Sequence, residues 1–128
     1  MDKNQIIQEL KKGAKSWNAW RKRLSGTDLN LDGIELSRIN LDDIDLSKVS
    51  IRNAKITDCT FKNADLISTN FEGSLLQRND FTSAKLIATN LGKCDLDGSI
   101  LLNANMLTAI TRNAKLENID FRGRDISG

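Results

Sequence analysis

Every fifth residue from Leu31 onward is apolar, with one exception. The series runs Leu31, Leu36, Leu41, Leu46, Ile51, Ile56, Phe61, Leu66, Phe71, Leu76, Phe81, Leu86, Leu91, Leu96, Leu101, Met106, Thr111, Leu116, Phe121 and Ile126, and only Thr111 departs. An α-helix repeats every 3.6 residues and a strand every two, so neither produces a strict five. A short fixed period held over some hundred residues describes a solenoid of stacked coils. The period therefore constrains the architecture far more than it constrains the function.

A second series sits two residues before each of these centres. It includes Ile34, Ile44, Ala54, Cys59, Ala64, Thr69, Ser74, Asn79, Ala84, Cys94 and Ala104, and is small or apolar almost throughout. Two inward residues two apart fit a short extended segment, and the polar pair that follows suits a turn. The first coil carries the bulkiest members, Leu29 to Val49, so its interior is expected to be the most apolar.

The number of faces follows from the charges. Opposite charges in register on neighbouring strands attract and like charges repel. From residue 28 on, charged pairs twenty apart are opposite in nine cases and like in two. At fifteen apart the balance reverses, one against five. The favourable pairs include Asp32–Arg52–Glu72, Glu35–Lys55, Arg38–Asp58–Arg78, Asp42–Lys62, Asp65–Lys85 and Asp95–Lys115. Four repeats per coil, rather than three, satisfy the charges.

The triplets Ala64-Asp65-Leu66, Ala54-Lys55-Ile56, Ala84-Lys85-Leu86, Ala104-Asn105-Met106 and Ala114-Lys115-Leu116 follow the pattern A-(D/N)-L-x-x. Over residues 29–128 the chain resembles the pentapeptide-repeat family. The resemblance implies an all-β solenoid: a right-handed quadrilateral β-helix of about five coils with an N-terminal α-helical cap. The expected division is a cap over 1–25 and a β-helix over 26–128.

Before the repeats, Ile6, Leu10, Ala14, Trp17, Trp20 and Leu24 are spaced by threes and fours, as in an amphipathic helix. Gly13 is expected to split it near 2–12 and 14–23. An open coil end exposes backbone and apolar side chains, and caps are the usual remedy. Trp17 and Trp20 are the expected packing residues. Gly13 to Arg21 also looks like the G-x-x-x-W-N-x-W-R segment that precedes the repeats in many bacterial family members. At the other end no matching cap is legible, so a last coil lined by Phe121 and Ile126 is expected to seek a partner or to mark a boundary of the sequence. Arg124, at an inward position, is expected to distort that last repeat.

Function is written more faintly. There is no His, hence no general base of the usual kind near neutral pH. Cys59 and Cys94 fall on different faces nearly two coils apart, as core fillers rather than a disulfide. No catalytic residue, cofactor site or metal site is expected. No apolar run spans a bilayer and no signal peptide is evident, so the expected location is cytoplasmic with no membrane partner.

Residues 1–24 carry seven Lys/Arg against two Asp/Glu. The basic cap (Lys3, Lys11, Lys12, Lys15, Arg21, Lys22, Arg23) lacks a nucleic-acid motif and reads as the wet face of a helix, without direct nucleic-acid binding. Two surfaces stand out. Ile67, Ile87 and Leu107 are outward, twenty apart, and stack into a candidate interaction stripe. Asp42, Asp43, Asp45 and Asp65 form a candidate acidic patch at the end that also holds Asp28. The expected role is a non-enzymatic protein-interaction scaffold, with a protein partner or a homodimer formed through the C-terminal coil or the apolar stripe. The alternative rests on the resemblance: the family includes gyrase-protecting DNA mimics, so the patch would modulate a type II topoisomerase.

Overall fold

A computed structural model describes residues 2–24 and 29–122. The acidic Asp28, the boundary near residue 25, and Arg124, Ile126 and Gly128 lie outside the described residues.

Two short helices lead into the solenoid. Helix α1 (Lys3–Lys11) starts at a capping box. Asp2 Oδ1 accepts from the Gln5 amide at 2.9 Å, and Gln5 Oε1 accepts from the Asp2 amide at 3.3 Å. Helix α2 (Ala14–Lys22) begins after Gly13, whose φ of 96° lets the chain turn between the two. Their apolar faces bring Ile6, Leu10 and Trp17 into the core.

The remainder is a right-handed quadrilateral β-helix, with the four repeats per coil that the charge register requires. Parallel bridges join residues twenty apart all the way up, from Asn30↔Ser50 to Ile100↔Asp120. Among the described residues only β1 (Glu35–Ser37) and β2 (Lys55–Thr57) extend to three residues, in parallel register Glu35↔Lys55. The charge pairs twenty apart are thus true neighbours, about one strand spacing of ~4.8 Å from each other.

Each corner is built alike. Every fifth residue from Gly33 to Asn118 has a positive φ, between 54° and 78°. Most corners close with an amide-to-carbonyl bond three residues back, such as Ala64 to Phe61 at 3.0 Å and Ala84 to Phe81 at 3.0 Å. A positive φ at the third residue of such a four-residue turn is the type II arrangement. Where an Asp or Asn precedes the centre, it caps the turn. Asp65 accepts from the Ile67 amide, Asp80 from Thr82 and Asn90 from Gly92. This is the physical reason for D/N in the repeat.

The interior is a narrow stack of Leu, Ile and Phe. Phe61 and Phe81 lie one coil apart with ring centroids 5.0 Å apart and planes 13° from parallel. Inward polar residues are all bonded, and no buried side-chain polar atom among the described residues lacks a partner. Ser74, Asn79 and Ser99 each insert into a corner of the coil below. Asn79 donates to the Ile56 carbonyl at 2.8 Å and accepts from the Cys59 amide at 2.9 Å. Ser74 bridges Ile51 and Ala54 in the same way, and Ser99 bridges Leu76 and Asn79. At these corners the side chain replaces the direct turn bond.

Candidate functional site

The stripe residues stand one above another. The Ser68 amide bonds the Ile87 carbonyl and the Ala88 amide bonds the Leu107 carbonyl, both at 2.9 Å, which stacks 67, 87 and 107 one coil apart. All three side chains are half-buried rather than fully exposed. The large apolar side chains most open to solvent are Ile110 (48% exposed) and Ile100 (37%). Both stand at outward positions of the five-residue repeat, off the stripe.

The acidic residues lie together around one corner of the first two coils, and Asp42, Asp45 and Asp65 each have one carboxylate oxygen engaged. Asp42 Oδ1 accepts from Thr60 Oγ1 at 2.5 Å and from the Lys62 amide at 2.8 Å. Asp45 Oδ1 accepts from the Ser47 amide and hydroxyl and from Arg21 Nη1 at 2.8 Å. Asp65 caps its own turn. Asp43 is exposed at a positive-φ corner; its carbonyl accepts from Asn18 and its amide donates to the Lys62 carbonyl. The Asp42–Lys62 charge pair takes a different form from that expected: the Lys62 amide, not its ammonium, bonds Asp42, and Lys62 Nζ lies 3.8 Å from Asp80.

Asp32 repeats the Asp42 arrangement two faces earlier, on the opposite side of the coil, with an ion pair to Arg52 at 3.3 Å. Desolvation raises its pKa, but the Ser50 hydroxyl and the Arg52 amide and guanidinium outweigh this and hold the carboxyl below its ordinary value. Asp58 is likewise lowered, chiefly by its hydrogen bond from Arg78.

The cap meets the first coil through three side chains of α2. Trp17 is fully buried and its Nε1 donates to the Asp45 carbonyl at 2.8 Å. Asn18 accepts from the Asp45 amide at 2.8 Å and donates to the Asp43 carbonyl at 3.0 Å. Arg21 donates to the Asp45 carbonyl, the Asp45 carboxylate and the Ser47 carbonyl. Lys3 of α1 reaches the Asp32 carbonyl. Trp20 is half-buried, 5.0 Å from Trp17 between ring centroids. Sequence periodicity picked out the two tryptophans by their apolarity. It missed Asn18 and Arg21, whose spacing of 17, 18 and 21 on one helix face was the available signal.

Cys59 and Cys94 are buried and unpaired. Burial pushes both thiols up, Cys94 to about 11, which keeps them protonated near neutral pH. Among the described residues no His/Cys/Asp/Glu group could hold a metal ion, and no helix is long and apolar enough to cross a membrane. A groove of about 470 Å³ runs over β1 and β2, lined by Glu35, Ser37, Arg38, Lys55, Thr57 and Asp58.

Residues 24–63, 59–98 and 80–128 match the description "Pentapeptide repeats (8 copies)". Several solved structures share the fold. Full-length QnrB1, a plasmid-mediated fluoroquinolone resistance protein, matches with a TM-score of 0.72 at 24% identity, over 77% of this chain and 49% of its own. A trypsin-treated variant of QnrB1 matches with a TM-score of 0.62 at 25% identity, over 80% and 48%. A pentapeptide repeat protein from the Arabidopsis thaliana thylakoid lumen matches with a TM-score of 0.53 at 22% identity, over 77% and 66%. The chain thus spans about half the length of the QnrB1 structures. No curated protein matches in sequence.

Proposed function

The chain belongs to the pentapeptide-repeat family, and from that premise we propose that it is a non-enzymatic interaction scaffold whose rigid β-helical walls bind another protein. The observation that carries this reading is the stacked column Ile67–Ile87–Leu107, an apolar line one residue wide on an otherwise polar wall. Backbone bonds between coils fix the spacing of the column, so a partner meets it with little ordering left to do. The reading includes a homodimer through the stripe or the C-terminal coil. The Ile87→Asp variant tests it. Ile87 projects outward, so the fold is expected to survive by circular dichroism while partner capture or the sedimenting dimer weakens at least about tenfold. Unchanged association would remove the stripe from the account.

The second reading is that the chain modulates a type II topoisomerase by imitating DNA. The likeness at 25% identity to a variant of a fluoroquinolone resistance protein is what favours it. Against it, a mimic needs a sustained negative field, whereas Asp42 and Asp45 spend their carboxylates on neighbouring donors and the chain is net +2. A supercoiling assay with the Asp43→Asn and Asp65→Asn variants decides between the readings. An effect of the wild type that both variants lose would favour mimicry, and no effect at micromolar protein would end it.

A further inference from the structure

The wall that bears the stripe carries three outward columns. The middle one reads Ser47, Ile67, Ile87 and Leu107. Before it stand Asp45, Asp65, Lys85 and Asn105, and after it Lys48, Ser68, Ala88 and Thr108. Asp45 and Asp65 are bridge partners one coil apart, and so are Asp65 and Lys85. Asp45 is held by Arg21 at 2.8 Å, and Asp65 Oδ1 accepts from the Ile67 amide at 3.1 Å. Among the described residues the Asp65 Oδ2 atom and the exposed Lys85 ammonium take part in no hydrogen bond or ion pair. Beside Ile67 and Ile87 the third column holds only the small Ser68 and Ala88, so a second flat surface can approach both isoleucines closely.

These columns are complementary to themselves turned end for end. A two-fold axis lying across the wall sets each column opposite its own copy in reversed order. We propose that the stripe wall binds a second copy of this chain, antiparallel, about an axis midway between Ile67 and Ile87. Ile67 of each copy then packs on Ile87 of the other, and Asp65 of each faces Lys85 of the other. The four charges alternate around a square, so every carboxylate has one ammonium across the interface and another one coil away. Farther out, Asp45 meets Asn105 and Lys48 meets Thr108, and no like charges face each other. Neighbouring registers lack this match. An axis at Ile67 sets Asp65 on Asp65, and an axis at Ile87 sets Lys85 on Lys85. A parallel pairing about the stripe turns both charges toward the uncharged Ser68 and Ala88 side. The pairing rests on the scaffold reading and names the partner of its stripe. A wall about 10 Å wide and about 19 Å tall is well below the ~800 Å² per partner of a standard interface, so the dimer is weak and reversible.

The test is sedimentation equilibrium of the full chain at concentrations up to about 1 mM, with circular dichroism as the check on folding. The wild type is expected to dimerise. Asp65→Lys and Lys85→Glu each set like charges across the axis, and each alone is expected to weaken the dimer at least about tenfold. Mixing the two single variants restores opposite charges at both contacts, as does combining them in one chain, and both are expected to regain the wild-type association. Should Asp65→Lys fail to fold, Asp65→Asn takes its place, since an amide oxygen can still cap the turn. Added to Lys85→Glu it removes the like-charge contact and is expected to recover association at least about threefold. No dimer at about 1 mM would overturn the pairing, while capture of a different protein lost in Ile87→Asp would still uphold the scaffold reading. A dimer that Ile87→Asp weakens but the charge variants neither weaken nor rescue would keep the stripe and overturn the antiparallel register.

Discussion

At Asp65 the backbone amide reaches the Ile44 carbonyl one coil below, at 2.8 Å. At Asp45, in the first coil, it reaches Asn18 Oδ1 of the cap helix at the same 2.8 Å. Inside the stack the partner is backbone, and at the rim it is a side chain. Trp17, Asn18 and Arg21 together supply donors and an acceptor to Asp43, Asp45 and Ser47, where a preceding coil would otherwise lie. The rim is only partly treated this way. The Asn40 amide, on the same edge one face earlier, has no acceptor among the described residues and is exposed. A helix cannot match a strand's repeat along its length, so its side chains seal the corner they reach and the rest of the edge stays open.

The largest expected effect comes from breaking the sealed corner. Trp17→Ala removes a fully buried indole and its bond to Asp45, and is expected to cost about 3–5 kcal/mol in urea unfolding. A loss below about 1 kcal/mol would mean the helices are an appendage. The interior has its own side-chain bridge to compare. Asn79→Ala leaves the Cys59 amide and the Ile56 carbonyl without partners, and about 2–4 kcal/mol is expected from the same measurement. A smaller change than for an Ala64→Gly control would show that the corner simply closes on itself. Asn18→Ala, at the part-exposed rim, is expected to cost about 1–2 kcal/mol.

Acid sharpens the contrast further. The folded-state pKa of Asp32 lies below its unfolded value. Its contribution is therefore complete above the unfolded value of about 4 and fades as pH falls through the folded value. The stability gap between wild type and Asp32→Asn is expected to narrow as pH drops from about 6 to about 3. A gap constant with pH would contradict the bonding described. The smallest effect is expected at the exposed wall, where Asp58→Asn should leave the thermal midpoint almost unmoved, since its pair with Arg78 is bathed in solvent.

The period of five and the charge register made the coil legible in the sequence, because inward packing repeats every five residues and outward pairing every twenty. Which corners are bridged by Ser74, Asn79 and Ser99 was not legible. The letters showed small polar residues at inward positions, but a direct turn bond and a side-chain bridge satisfy the same two groups. The acidic patch was visible as composition, yet its meaning changed once Asp42 and Asp45 were seen to accept bonds from the adjacent coil and cap. The clamp of Asn18 and Arg21 was hidden for a related reason. Periodicity scores apolar residues, and the cap works here through polar ones.

Hydrogen exchange at two amides of one edge tests most directly whether the cap helix replaces a coil. The Asp45 amide should be protected nearly as well as Asp65, the Asn40 amide should exchange fast, and Asn18→Ala should bring Asp45 toward the Asn40 rate while leaving Asp65 unchanged. Equal, fast exchange at Asp45 and Asn40 in the native protein would contradict the claim that a helix face replaces the missing coil.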